Sequence, residues 1–227
     1  MAPPAVLILG IGNLLWADEG FGIRVVEALH ARYELPGNVR LLDGGTQGIY
    51  LVQHIRAADI LIVFDAVDYN LPPGTMKLVE GDEVPKFLGV RKISLHQTGF
   101  QEVLALTEML GDHPRRLLLI GVQPAELDDF GGSLRPVVKA QIEPAIDAAL
   151  AYLASHDIQA TPRTIPLSDA ATIATPETVM RDYELGRPSE ADALRVGDQR
   201  VLTGDGWNGP ADFEAEIDRL LAEPRSA

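Results

Sequence analysis

LILGIGNLLWADEGFGIRVVEAL, residues 7–29, sets an apolar run against a glycine-punctuated turn and then a helical repeat. The run begins at Ala5 and ends in Gly10-Ile11-Gly12, as expected of a strand buried on both faces. From Asp18 to about Arg32 the pattern changes: Phe21, Val25, Val26 and Leu29 recur at helical spacing, and Pro36 and Gly37 follow the end. Strand, Gly-x-Gly turn and helix is how a dinucleotide-binding motif begins. That fingerprint needs a third glycine three residues after the second, and Leu15 stands there. Pyrophosphate also seeks the positive end of a helix free of competing carboxylates, whereas Asp18 and Glu19 occupy that end. Asp43, after the second apolar run, superficially suits a ribose partner, but one acid is weak support. No nucleotide cofactor is expected.

The rest of the chain repeats the alternation. NVRLLD (38–43) reads as a second strand, 47–57 as a helix and ADILIVFDAVD (58–68) as a third strand. GTMKLVEG (74–81) suggests a shorter, antiparallel strand. After the loop KISLHQTGF come the helix QEVLALTEML, the strand RRLLLIGV (115–122) and an amphipathic helix over about 136–153. Strands alternating with helices predict a three-layer α/β fold, a twisted and mostly parallel sheet of about five strands flanked by helices.

Composition narrows the function. The chain has 227 residues and 46% hydrophobic content, enough for a core without metals or disulfides. It has no cysteine, so disulfides, zinc-thiolate sites and a thiol nucleophile are excluded. A net charge of −14 argues against nucleic-acid partners, which require neutralised phosphates. No apolar segment is long enough to span a membrane, and the N-terminus lacks the basic start of a signal peptide. The expectation is a cytoplasmic protein without membrane insertion.

In an open α/β sheet, sites form at the carboxyl ends of the strands. Glu19 lies just beyond the first strand, Asp65 ends the third, and His96 falls in KISLHQTG. Two carboxylates and an imidazole suit a borderline divalent metal. Each also has a plainer reading: Asp18 can cap the helix, Glu19 can favour its dipole, Asp65 can cap a turn, and His96 can be a surface residue. Spacing alone leaves both readings open. There is no Gly-x-Ser-x-Gly elbow and no His-Glu-x-x-His helix. Ser94 is not expected to be a nucleophile. His30, His54 and His156 read as surface residues and His113 as a loop residue. Trp16 reads either as a lip of the crevice contacting substrate or as a core residue, Leu14 and Leu15 as packing beneath the turn, and Arg115-Arg116 as a solvated strand start.

Five motifs occur in one order: GIGNLLWADEGFG (10–22), DGGTQG (43–48), FDAVD (64–68), GTM (74–76) and ISLHQTG (93–99), extended by GVQP (121–124) and IEPAI (142–146). Together they resemble the [NiFe]-hydrogenase maturation endopeptidases, the C-terminal processing proteases of the hydrogenase large subunit, with the nearest likeness to those serving uptake hydrogenases. The resemblance covers roughly residues 5–160. It implies an endopeptidase that removes a short C-terminal peptide from the large-subunit precursor after nickel insertion. It places the family's metal-contacting residues on Glu19, Asp65 and His96, and makes these with Asp43 the catalytic set. It ties Asp43, with Gly44, Gly45 and Thr46, to substrate recognition, to which Trp16 is added as the lip. The metal implied is nickel carried by the substrate, and zinc or cadmium is expected to be able to occupy the same donors in the isolated protein. The implied partner is the large-subunit precursor. The alternative is a metal-sensing chaperone that docks that subunit without cutting it.

Composition shifts near Thr161, where TPRTIPLSDAATIATPE is rich in Pro, Thr and Ala. Residues 161–227 carry 7 basic and 13 acidic side chains, a net of −6, against −8 for residues 1–160. The expected organisation is an α/β domain over 1–160 and an acidic extension over 161–227, partly ordered or wrapping the domain. Within it, 193–204 reads as a hairpin and ADFEAEIDRLLAE as a short helix.

Overall fold

A computed structural model describes residues 3–84, 95–167, 173 and 178–186. The chain divides into two compact units, Met1–Arg187 and Pro188–Ala227. The second, with the expected hairpin and C-terminal helix, lies outside the described residues.

Five strands form one sheet: β1 (Val6–Ile11), β3 (Val39–Gly45), β4 (Ile60–Ala66), β6 (Arg116–Val122) and β5 (Met76–Glu80). Their spatial order is β3-β1-β4-β6-β5. β1 pairs in parallel with β3 and β4, and β4 with β6, while β5 runs antiparallel to β6 from Met76 opposite Val122 to Glu80 opposite Leu118. The mostly parallel sheet with one antiparallel edge is therefore the predicted one. β1 and β4 are buried at every position because helices cover both faces.

Period-two alternation divides the core. Val6, Ile8, Ile60, Ile62 and Phe64 face one layer with Phe21, Val25 and Leu29 of α1 (Phe21–Arg32) and Ala145, Ile146 and Ala149 of α5 (Ile142–Ala154). Leu7, Leu9, Ile11, Leu61 and Val63 face the other, against Ile55 of α2 (Val52–Arg56) and Phe100, Val103 and Leu104 of α3 (Leu95–Met109). Helix α1 and helix α2 thus lie on opposite faces. β1 connects through α1 outward to β3, and the chain returns through α2 to β4 on the other side of β1. The strand order reverses between β1 and β4, which opens a crevice at their carboxyl ends.

Three element boundaries depart from expectation. The first helix starts as a 3-10 turn, Ala17–Gly20, before α1. Helix α3 begins at Leu95, so the ISLHQTG motif from Leu95 onward opens a helix, although Thr98-Gly99 reads as loop punctuation. The helix expected over 136–153 is two pieces, α4 (Pro136–Lys139) and α5, separated by a turn at Ala140-Gln141.

Past residue 160 the chain continues along α1. β2 (Tyr33–Glu34) pairs antiparallel with β7 (Thr161–Pro162). Arg163 and Leu167 donate backbone N–H groups to the carbonyls of Arg32 and Ala31. Helix α6 (Met180–Leu185) docks through Glu184, which accepts from Lys139 at 2.7 Å and from Ser133 at 2.8 Å. These two donors outweigh burial and hold the Glu184 carboxyl below its usual range. Among the described residues no helix is long and apolar enough to cross a membrane.

Candidate active site at the crevice between β1 and β4

The turn leaving β1 doubles back sharply. Gly12 has φ +140°, and a Cβ there would sit 1.8 Å from the Glu19 carbonyl oxygen. That carbonyl accepts the Asn13 N–H at 3.2 Å. Glu19 is therefore returned to the end of β1, half-buried, immediately beyond the strand. Asp65 is the penultimate residue of neighbouring β4 and is 1% exposed. Gly10 is in register with Phe64 on one side and with Asp43 on the other. Asp43 of β3, Asp65 of β4 and Glu19 from the turn that follows β1 consequently stand at one end of the sheet, around β1.

The glycine missing from the nucleotide fingerprint has a counterpart further along. A Cβ on Gly22 would lie 2.2 Å from the Phe64 carbonyl oxygen and 2.4 Å from that of Ile11. The role of close helix-to-strand packing thus falls seven residues after Leu15, and the intervening residues form a lobe carrying the acids.

Asp18 is wholly buried but caps no helix. Its carboxylate accepts three backbone N–H groups, from Ala125 at 2.8 Å, Glu126 at 2.9 Å and Arg135 at 2.7 Å. Its own N–H donates to the Glu126 carbonyl at 3.2 Å. The helix start needs no such cap, because Gly20 leads directly from the 3-10 turn into α1, so the carboxylate is free to anchor the 124–135 loop. Ala17 just before it holds a left-handed φ of +40°, a conformation that costs a non-glycine residue about 1–2 kcal/mol.

That loop forms one wall of the crevice. Trp16 makes isolated bridges to Phe130 and Gly132, and its ring meets Phe130 edge-on with centroids 5.3 Å apart. Phe130 and Leu15 are 51% and 45% exposed, so Leu15 does not pack beneath the turn as its sequence suggested. It serves instead through its carbonyl, which accepts the Gly131 N–H at 2.7 Å. Leu14 does pack inward, against Gly20. Arg135 pairs with buried Asp129 at 2.7 Å and ties the far end of the loop.

On the other side, the end of β3 turns outward. Asp43 accepts the Gly45 N–H at 2.8 Å. Burial pushes its carboxyl above the usual range, with Gly45 and the Arg24 guanidinium pulling it partly back. Gly44 is buried against Leu9, Gly45 has φ +47°, and Thr46 is exposed. Ile49 and Tyr50 beyond it are 67% and 73% exposed.

The loop after β4 is organised by Gln123 of GVQP, to which sequence reasoning assigned no role. Its Oε1 accepts the N–H groups of Tyr69 at 2.7 Å and Leu71 at 3.1 Å, and its Nε2 donates to Asp68 at 2.9 Å. Tyr69 lies against Gly121, the register partner of Asp65, with the Lys77 ammonium 5.3 Å from its ring centroid. Burial and then the Asp65 carboxylate push its phenol well above the ordinary range, so it stays protonated.

The third expected metal contact, His96, belongs to the first turn of α3, but its side chain lies outside the described residues, as does Ser94. Among the described residues no group of three His, Asp or Glu side chains stands together as a metal site. Three of the other histidines have local side-chain partners. Arg40 meets His54 at 2.9 Å, His113 meets Thr107 at 3.2 Å, and His156 meets Arg116 at 2.5 Å.

Comparison with known proteins agrees with this geometry. The family profile for HycI, the hydrogenase maturation protease, matches residues 23–152. Hydrogenase expression/formation protein HupD of Thiocapsa roseopersicina is 64% identical over 200 residues, 88% of this chain and 90% of the relative. Hydrogenase 2 maturation protease of Escherichia coli (strain K12) is 45% identical over 159 residues, 70% of this chain and 96% of the relative. The solved hydrogenase maturating endopeptidase HybD from E. coli superposes with a TM-score of 0.68 at 42% identity, covering 70% of this chain and 98% of that one. A peptidase fold, a crevice at the strand reversal and relatives of this identity lead to one conclusion: the chain belongs to the hydrogenase maturation protease family.

Proposed function

We propose that this protein is the endopeptidase that removes a short C-terminal peptide from the nickel-loaded large-subunit precursor of a [NiFe]-hydrogenase, and that it reads the nickel carried by that substrate. The observation that carries the reading is the delivery of Glu19, from the turn after β1, and Asp65, from neighbouring β4, to the crevice where the strand order reverses, in a chain of this family. Oxygen donors of this kind, with the imidazole of His96, suit a borderline divalent ion and leave room for the substrate's own ligands. The ion is part of the substrate. A precursor without it would lack an anchor, so metal insertion is checked before the chain is cut.

Cleavage is hydrolysis: water adds to the scissile carbonyl, the C–N bond breaks, and the departing amine takes up a proton. Asp43, with its carboxyl raised by burial, is suited to take a proton from that water and return one. Gly44, Gly45 and Thr46 present a backbone that an extended peptide can approach closely. Trp16 with Phe130 forms an apolar lip on the opposite side.

The test is direct. Purified protein mixed with nickel-loaded large-subunit precursor should produce a mass decrease matching loss of a C-terminal peptide. A stable complex whose large subunit keeps its full mass would overturn cleavage in favour of a docking chaperone.

A further inference from the structure

Tyr69 stands at the β4 side of the crevice, and cleavage as set out above does not use it. Residues in register on neighbouring strands point to the same face of a sheet, and period-two alternation fixes which face that is. Gly121 of β6 is in register with Asp65 of β4 on one side and with Lys77 of β5 on the other. All three share the face of Val63, Leu119 and Val79, the layer that packs against α3. A carboxylate, a position without a side chain and an ammonium therefore form one row across three strands.

Tyr69 fills the gap in that row. A Cβ on Gly121 would lie 2.0 Å from the Tyr69 hydroxyl oxygen and 2.8 Å from its Cζ. The end of the ring thus occupies the space that any other residue at 121 would need. The Lys77 ammonium lies 5.3 Å from the centroid of the same ring, within the range of cation–π attraction. The backbone sets the ring's place. Gln123, 6% exposed, accepts the N–H groups of Tyr69 at 2.7 Å and Leu71 at 3.1 Å and donates to Asp68 at 2.9 Å. Burial keeps the phenol protonated, so the spacer carries no charge of its own.

Without the ring, Lys77 and Asp65 would face each other across a glycine. Two strand spacings separate their backbones, about 9–10 Å. The flexible four-carbon stem of a lysine and an aspartate carboxyl together span such a gap. Asp65 is 1% exposed, so an ammonium brought to it would act with little screening by water. It would compete for the same oxygens that a metal ion needs.

We propose that Tyr69 is a positioning residue for Asp65: its ring, seated on Gly121, bars the Lys77 ammonium from the Asp65 carboxylate and keeps that carboxylate available to the metal ion on the substrate. This rests on the reading that Asp65 contacts the substrate's metal. The ring acts by occupying space, so the effect belongs to the ring and not to its hydroxyl.

The test uses the full-length protein and two readouts, the distance from Lys77 Nζ to the Asp65 carboxylate in crystal structures and the rate of cleavage of nickel-loaded precursor. Tyr69→Ala removes the ring but keeps the backbone N–H that Gln123 holds. In its structure Lys77 Nζ comes within about 4 Å of the Asp65 carboxylate, and cleavage falls by about tenfold or more. Tyr69→Phe keeps the ring and restores both readouts. Adding Lys77→Met to Tyr69→Ala removes the cation and recovers the rate, which a ring needed only for packing would not allow. A Tyr69→Ala structure in which Lys77 stays away from Asp65 overturns the proposal. So does an equal loss of cleavage with and without Lys77→Met, or a loss in Tyr69→Phe as large as in Tyr69→Ala. If Lys77 reaches Asp65 and cleavage is unchanged, the barrier stands and the role of Asp65 in reading the metal falls.

Discussion

Asp18 should be the costliest single acid to remove from the crevice wall. Its carboxylate is fully buried and takes three backbone N–H groups at 2.7–2.9 Å, from two places in the 124–135 loop. Hydrogen bonds to a charged acceptor contribute about 1.5–3 kcal/mol each, and every orphaned donor costs about 1–3 kcal/mol. Deletions at one carboxylate do not add, so Asp18→Ala should lose about 3–5 kcal/mol rather than the full sum. Asp18→Asn keeps the shape. With its carbonyl oxygen at the position serving Ala125 and Glu126, its amide faces the Arg135 N–H donor to donor, a loss of about 2 kcal/mol. Urea unfolding at neutral pH would measure both, followed by Trp16 fluorescence in a Trp207→Phe background. For a unit of this size, Asp18→Ala should also lower Tm by about 8–15 °C. A loss below about 1 kcal/mol for Asp18→Ala, the level of an ordinary surface change, would refute the view that this carboxylate holds the turn and the loop together. Equal losses for the two variants would refute the acceptor geometry.

Two further outcomes follow from the same wall and its neighbour. Gly22→Ala places a methyl 2.2 Å from the Phe64 carbonyl oxygen, backbone against backbone, so it should destabilise by about 3 kcal/mol or more; soluble yield and thermal unfolding would read this, and a Tm within a degree of wild type would contradict it. Burial raises the folded-state carboxyl of Asp43 above its usual 3.8. The folded state then holds its proton more tightly than the unfolded chain does, so this group costs stability increasingly as pH rises from 3.8 through the raised value. Asp43→Asn should therefore be more stable than wild type at neutral pH, with the gain disappearing in acid, while processing is lost. A gain independent of pH would point to a cause other than burial of charge.

The sheet was legible because both-face burial leaves continuous apolar runs such as VLILGI and ILIVFDA, which read as strands whatever follows them. The positions of Glu19, Asp43 and Asp65 at strand ends were legible for the same reason. What single-chain pattern cannot carry is a partner distant in sequence. Asp18 reads as a cap because it precedes a helix, yet its partners are more than a hundred residues away. Arg24 looks like a solvated position between Ile23 and Val25 until Thr178 and Tyr183 cover it. The third glycine of the fingerprint is absent at Leu15, and the close helix-to-strand packing it would serve is found at Gly22, beyond an inserted lobe. Leu15 followed hydrophobicity inward on paper, whereas its exposure beside Phe130 belongs to the rim of a crevice.

The central claim is that the enzyme reads nickel on its substrate through Glu19, Asp65 and His96. Cleavage of nickel-loaded and nickel-free precursor should be compared for the wild-type protein and His96→Ala. The wild type should cut only the loaded precursor, and His96→Ala should lose that activity without losing its folded circular dichroism. Equal cleavage of both precursors by both proteins would contradict recognition of the metal.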